Sequence, residues 1–186
     1  HGVRQIAHLV RKVALALEEA HRHGVVHRDL KPANIMINQR GEPVIMDFGL
    51  ARRQGLSDVQ LTREGTVIGT PQYMAPEQVS GKAESMGPSC DVYSLGVVLY
   101  VLLTSRLPHE ASDLLALLSE IATNDPQPPS QLRPDVDPQL DAICLKALAK
   151  QPGQRYASAQ AMADALFKYI KRGPKSAKKP KKKKNE

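Results

Sequence analysis

The sequence is short of several residue types, and each shortage closes off a class of protein. It holds two cysteines, Cys90 and Cys144, in 186 residues. That excludes a disulfide framework and a four-cysteine zinc site, and it suits a reducing compartment. Tryptophan is absent and aromatics make up 4% of the chain, too few for a base-stacking nucleic-acid platform. No apolar run reaches the roughly 18 residues of a membrane span. The best stretch, Val92 to Leu103, is shorter and carries Tyr93, Ser94 and Gly96. There is no signal peptide, and the chain opens on His1, not on Met, which suggests a fragment.

Acidic charge is scarce only in one place. The net charge is +7, but residues 171–186 hold nine basic residues and one acidic one. Residues 1–170 carry 17 basic and 18 acidic residues and are nearly neutral. At 41% hydrophobic, this body can bury a core. The tail, made of Lys, Pro, Ser and Ala, cannot, and is expected to be disordered. Its attraction would be for anionic lipid headgroups, at about 1 kcal/mol per basic residue near the surface. A specific nucleic-acid partner is not expected.

Patterning gives a coarse organisation. Ile6, Leu9, Val10, Val13, Leu17 and Ala20 recur at helical spacing, so residues 2–23 read as an amphipathic helix ended by Gly24. The apolar runs Ile35-Met36-Ile37 and Val44-Ile45-Met46, joined through Gly41, predict a small hairpin. Residues 47–90 read as a long irregular segment. Asp91–Leu103 is apolar on nearly every side, which predicts a buried helix. A further helix is expected over Ser112–Thr123 and a proline-rich loop over Asn124–Pro138. Another helix should run from Asp137 or Pro138 to about Lys150, and a last one, capped by Ser158, to Ile170. The fold class is mainly α, of the α+β kind, with a small β element.

The chemistry concentrates in His27-Arg28-Asp29-Leu30-Lys31-Pro32-Ala33-Asn34. A carboxylate and an amide five residues apart in a loop can face one pocket. Asp29 can take a hydroxyl proton while that oxygen attacks a phosphoryl group, Asn34 can offer an oxygen to Mg2+, and Lys31 can set a point charge beside the phosphoryl. Thirteen residues past Asn34 comes Asp47-Phe48-Gly49, where Asp47 supplies a charged metal oxygen and Gly49 allows a sharp turn. Together these are the parts of a phosphoryl-transfer site. His21, His23 and His27 read as histidines at a helix end, not as metal ligands.

Further strings follow in order: Gly69-Thr70-Pro71, Ala75-Pro76-Glu77, Asp91-Val92-Tyr93-Ser94-Leu95-Gly96, then Arg155. With these in place, residues 1–170 resemble the C-terminal lobe of a eukaryotic-type (Hanks-type) serine/threonine protein kinase, with wording most like its bacterial members. The resemblance implies a kinase-like fold without its N-lobe, and transfer of the ATP γ-phosphoryl to a protein Ser/Thr hydroxyl. It implies Asp29 as catalytic base, Lys31 as a phosphate contact, Asn34 and Asp47 as ligands of Mg2+ (or Mn2+), and Met36 under the adenine of ATP. Thr70 would help seat the acceptor hydroxyl. His27 and Phe48 would join a hydrophobic spine, Asp91 would hold the catalytic loop's amides, and Glu77 with Arg155 would form a buried ion pair. Arg28 and Arg52 would bind a phosphate placed on Thr66 or on Thr62.

Some of the family's pattern is not in the chain. Residues 1–186 contain no Gly-rich loop and no strand lysine, so an N-lobe in cis is expected upstream and the chain alone should be inactive. His109 stands where the family usually has Phe, which puts local packing in question. A kinase-like scaffold without turnover is the rival reading. The expected location is cytoplasmic, close to the membrane if a spanning helix follows.

Overall fold

The computed structural model describes residues 2–48, 71–81 and 86–172. Helix α1 (Val3–Arg22) buries Ile6, Val10, Val13 and Leu17 along one stripe. It stops at Gly24, whose φ of +73° suits a residue without Cβ and whose N–H closes on His21 O at 2.9 Å. A loop and a 3-10 turn (Pro32–Asn34) lead to strands β1 (Ile35–Ile37) and β2 (Pro43–Ile45). The strands pair antiparallel with Ile35 opposite Ile45, Met36 opposite Val44 and Ile37 opposite Pro43. The connecting turn is held by Asn38 Oδ1, which accepts from the N–H groups of Arg40 and Glu42.

Among the described residues the rest is helical: α2 (Pro76–Val79), α3 (Pro88–Thr104), α4 (Leu114–Thr123), α5 (Pro129–Leu132), α6 (Pro138–Ala147) and α7 (Ala159–Lys171). Helix α3 touches α1, α5, α6 and α7 and is the centre of the core. It is enclosed on every side, so it shows no polar stripe. Gly96 permits the close approach of α6, since a Cβ there would lie 2.8 Å from Ala147 Cβ. The α+β class with a small hairpin is what the structure has.

Several boundaries differ from the sequence reading, each for a local reason. Strand β2 runs over residues 43–45, not 44–46. Pro43 can open a strand because its missing N–H is not needed there. Met46 instead spends its backbone groups on Asn34 and His27. The proline-rich stretch contains α5, because proline is tolerated at a first helical position and Asp141 Oδ1 accepts from Ser130 N at 2.8 Å. Helix α3 begins at Pro88, three residues early, by the same tolerance. Helix α4 begins at Leu114 because Asp113 caps Ala116 N at 2.8 Å. Helix α6 ends at Ala147, not near Lys150, because the carbonyls of Ala149 and Lys150 turn to the Arg155 guanidinium. His109 is buried, and its Nε2 lies 3.1 Å from Lys150 Nζ.

Candidate active site

The site is assembled where α1, α3 and the hairpin meet. Asp91, fully buried in the first turn of α3, accepts from the backbone N–H of His27 and of Arg28, both at 2.8 Å. His21 Nε2 lies 2.7 Å from the same carboxylate. These bonds hold Arg28 at φ +67°, a left-handed conformation that L residues enter at a cost of about 1–3 kcal/mol. The chain reverses there, which turns Asp29 outward.

The bonds of His27 fix its tautomer. Asp29 N–H donates to Nδ1 at 3.3 Å, so Nε2 carries the hydrogen and donates to Met46 O at 2.8 Å. Met46 N–H in turn donates to Asn34 O at 2.9 Å. Two hydrogen bonds therefore dock the end of β2 onto the loop and set Asp47 beside Asn34. Asp47 is itself left-handed, at φ +61°. The ring of Phe48 stands edge-on to His27, with centroids 5.0 Å apart.

Asp29 is half exposed and receives two donors. Lys31 Nζ donates to Oδ2 at 2.8 Å, and Asn34 Nδ2 lies 3.4 Å from the same oxygen. Asn34 Nδ2 also donates to Asp29 O at 2.8 Å. With its nitrogen committed to Asp29, Asn34 has its carbonyl oxygen to offer a cation. Asn34 and Asp47 both carry oxygen donors, the kind a hard ion takes when water or phosphate completes its shell. Among the described residues no group of three or more His, Cys, Asp or Glu could hold a metal. Met36 lies on the hairpin with 53% of its surface exposed, opposite Val44 at 46%. Among the described residues the site is an open surface. A cavity of about 370 Å³, lined by Gln139, Ile143, Tyr156 and Lys168 among others, belongs to α6 and α7 instead.

A second constellation lies behind the loop. Arg155 meets Glu77 in a two-pronged bond at 2.6 and 2.7 Å, with both side chains buried. Burial by itself would raise the Glu77 carboxyl, but the hydrogen bonds and charge of Arg155 outweigh it and hold it below the usual range. The remaining guanidinium hydrogens go to the carbonyls of Ser89, Ala149 and Lys150, and the Tyr93 ring lies 5.0 Å beneath. Cys90 donates to Glu77 Oε1, and burial together with the Glu77 charge pushes its thiol far up. That makes Cys90 a structural donor and not a nucleophile.

Two connecting residues carried no distinctive signal in the sequence. Gln78 accepts from Ala75 N and donates to Arg28 O at 2.8 Å, tying α2 to the catalytic loop. His21 reaches Asp91; the three-histidine cluster drew attention to it without showing its partner. Arg28 Nε is buried without a hydrogen-bond partner among the described residues. Thr62, Thr66, Thr70, Arg52 and Gly49, and the tail beyond Arg172, lie outside the described residues.

Comparison with known proteins gives one family. The protein kinase domain family matches residues 2–167. Over 147 residues the chain is 46% identical to a probable serine/threonine-protein kinase of Streptomyces coelicolor, covering 79% of this chain and 22% of that protein. Over 165 residues it is 42% identical to the serine/threonine-protein kinase PknB of Mycolicibacterium smegmatis, covering 89% and 26%. Over 170 residues it is 41% identical to the serine/threonine-protein kinase pkn3 of Myxococcus xanthus, covering 87% and 31%. The chain thus spans between 22% and 31% of the length of these relatives.

Proposed function

Because the chain belongs to the protein kinase family, we propose that residues 1–170 form the catalytic C-lobe of a serine/threonine kinase. Its reaction transfers the γ-phosphoryl of ATP to a protein hydroxyl. The observation that carries this reading is the convergence of Lys31 and Asn34 on an Asp29 whose two preceding backbone amides are held by Asp91. Asp29 orients the acceptor hydroxyl and takes its proton as the new P–O bond forms and the bond to the ADP oxygen breaks. Lys31 offsets the negative charge of the phosphoryl oxygens. Asn34 and Asp47 would hold Mg2+, or Mn2+ in its place, and a bound ion would neutralise charge on the phosphates. Met36 offers an apolar surface for adenine, and Thr70 helps seat the acceptor. His27 and Phe48 keep Asp47 in register with the loop.

The buried Nε of Arg28, which has no hydrogen-bond partner among the described residues, supports regulation by phosphorylation. A phosphate on Thr66 or Thr62 brings nearly two negative charges and three acceptors to Arg28 and Arg52. The basic residues that follow α7, from Arg172 to Lys184, attract the protein to anionic lipid at the cytoplasmic face of a membrane. A nucleotide-clamping lobe in cis completes the enzyme.

The test is phosphotransfer by the full-length protein carrying this domain, with ATP, Mg2+ or Mn2+, and a protein acceptor. Asp29→Asn should lower turnover by about 10²–10⁴-fold. Equal turnover in the two proteins overturns the mechanism. No turnover in either makes the domain a scaffold. Mass spectrometry of the active enzyme showing neither Thr62 nor Thr66 phosphorylated overturns the regulatory part.

A further inference from the structure

The N-terminal half of α1 and the C-terminal half of α7 lie side by side. Arg4 Nη1 donates to Ile170 O at 3.2 Å. The Arg11 guanidinium stands 4.8 Å from the centroid of the Phe167 ring, and Lys171 Nζ stands 4.6 Å from the same centroid. Arg4, His8 and Arg11 fall on one stripe of α1, and Phe167 and Lys171 sit one turn apart on α7. Phe167 is one of two phenylalanines in the chain and leaves 38% of its surface exposed.

None of Arg4, Arg11 or Lys171 makes an ion pair among the described residues. Arg11 Nε is buried without a hydrogen-bond partner there, so the ring contact, and no carboxylate, sets its position. Asp164, one turn before Phe167, is already engaged by Gln160 Nε2 at 2.9 Å. Beyond Lys171 the sequence adds Arg172 and seven lysines before its next acidic residue, Glu186.

We infer that this α1–α7 face docks on an anionic lipid bilayer together with the lysine tail, with the Phe167 ring entering the headgroup region. The inference rests on the tail's attraction for anionic lipid and not on phosphotransfer. A bilayer fits better than a nucleic acid. An exposed ring flanked by two unpaired cations suits the boundary between headgroup phosphates and acyl chains, where aromatic and basic side chains settle together. The two cations already crowd that ring, and the face offers no second exposed aromatic for a run of stacked bases.

Residues 1–186 contain no tryptophan, so Phe167→Trp makes a single tryptophan reporter in this 186-residue chain. With vesicles of 70% phosphatidylcholine and 30% phosphatidylglycerol, its emission should move to the blue and be quenched by brominated lipid. Phosphatidylcholine vesicles should do neither. Unshifted emission while the protein sediments with the anionic vesicles overturns the face and leaves the tail's role standing. With far-UV dichroism unchanged, Arg11→Gln with Lys171→Gln should weaken vesicle binding about 30-fold. Unchanged binding overturns the inference. Deleting residues 173–186 tests the tail by itself, and vesicle binding that survives undiminished overturns the tail's part. Tighter binding to duplex DNA than to the vesicles at the same salt overturns the choice of partner.

Discussion

The catalytic strip of residues 27–48 and helix α3 lie against each other and are built in opposite ways. In α3 nearly every side chain is buried, including Tyr93 and Tyr100. In the strip, Met36, Ile37, Val44 and Phe48 are all exposed, and Asp29 is half exposed. The helix is held by apolar burial. The strip is held by polar bonds, most of them within itself, and Asp91 of α3 and Gln78 of α2 tie it to the body. The polar residues that α3 buries are those that grip something outside it. Asp91 holds the catalytic loop and Ser94 Oγ donates to Tyr73 O at 2.8 Å. A buried polar group in an otherwise apolar helix is here the joint between core and site.

The largest effect should come from the deepest of these joints. Arg155→Met strands Glu77 as a buried charge and should cost about 3–5 kcal/mol, read as a lowered urea midpoint. Below the ordinary carboxylate range the loss should shrink. A depressed carboxyl gives its stability above its unfolded pKa and loses it as pH falls through the folded value. A midpoint within error of wild type would mean that the pair is not what joins α2 to the helical body.

Asp91→Asn keeps the shape and one acceptor but sets a donor against a backbone N–H. It should leave the core amides of α3 protected, speed exchange at His27 and Arg28, and lower phosphotransfer by the full-length protein about 100-fold through misplacement of Asp29. A uniform loss of protection would show that strip and core are one cooperative unit.

His109→Phe tests the core where it departs from the kinase pattern. Burial, and then the Lys150 charge, hold the His109 ring down to about pKa 4, against an ordinary 6.5. Between those values the unfolded chain binds more protons, so wild-type stability should fall by about 2 kcal/mol as pH drops from 6.5 to 4. The Phe variant should lose that part of the fall. Identical slopes in denaturation at pH 7 and 4.5 would refute the assignment.

The smallest effect belongs to the surface. Lys12 and Glu42 pair at 2.7 Å between α1 and the hairpin turn, with both side chains well exposed. Lys12→Ala should change stability by less than about 0.5 kcal/mol. A larger loss would place the hairpin's anchorage on its outer turn and not on Met46.

The elements most readable in the sequence were those whose signal is local. The stripe of α1, the glycine that ends it, the caps at Asp137 and Ser158, and the all-round apolar α3 each follow from neighbours a few residues away. Helix α5 and the early end of α6 were not readable. They depend on Asp141 and on Arg155, whose partners are set by packing. Within the candidate site, the spacing of Asp29, Asn34 and Asp47 singles out the residues on which the proposed mechanism rests. The roles of His21 and Gln78 depend on contacts 70 and 50 residues away.

By itself the sequence determined the helical class, the phosphoryl-transfer motifs and the split between a neutral body and a basic tail. Composition, periodicity and short spacings encode those directly. The tertiary structure decided which groups meet: Asp91 with two amides and His21, Arg155 with Glu77 and three carbonyls, and Arg11 and Lys171 with one exposed ring. A single long-range hydrogen bond or ring contact leaves no periodic trace in the chain. It exists only once the helices have packed and brought the donor within about 3 Å of its acceptor.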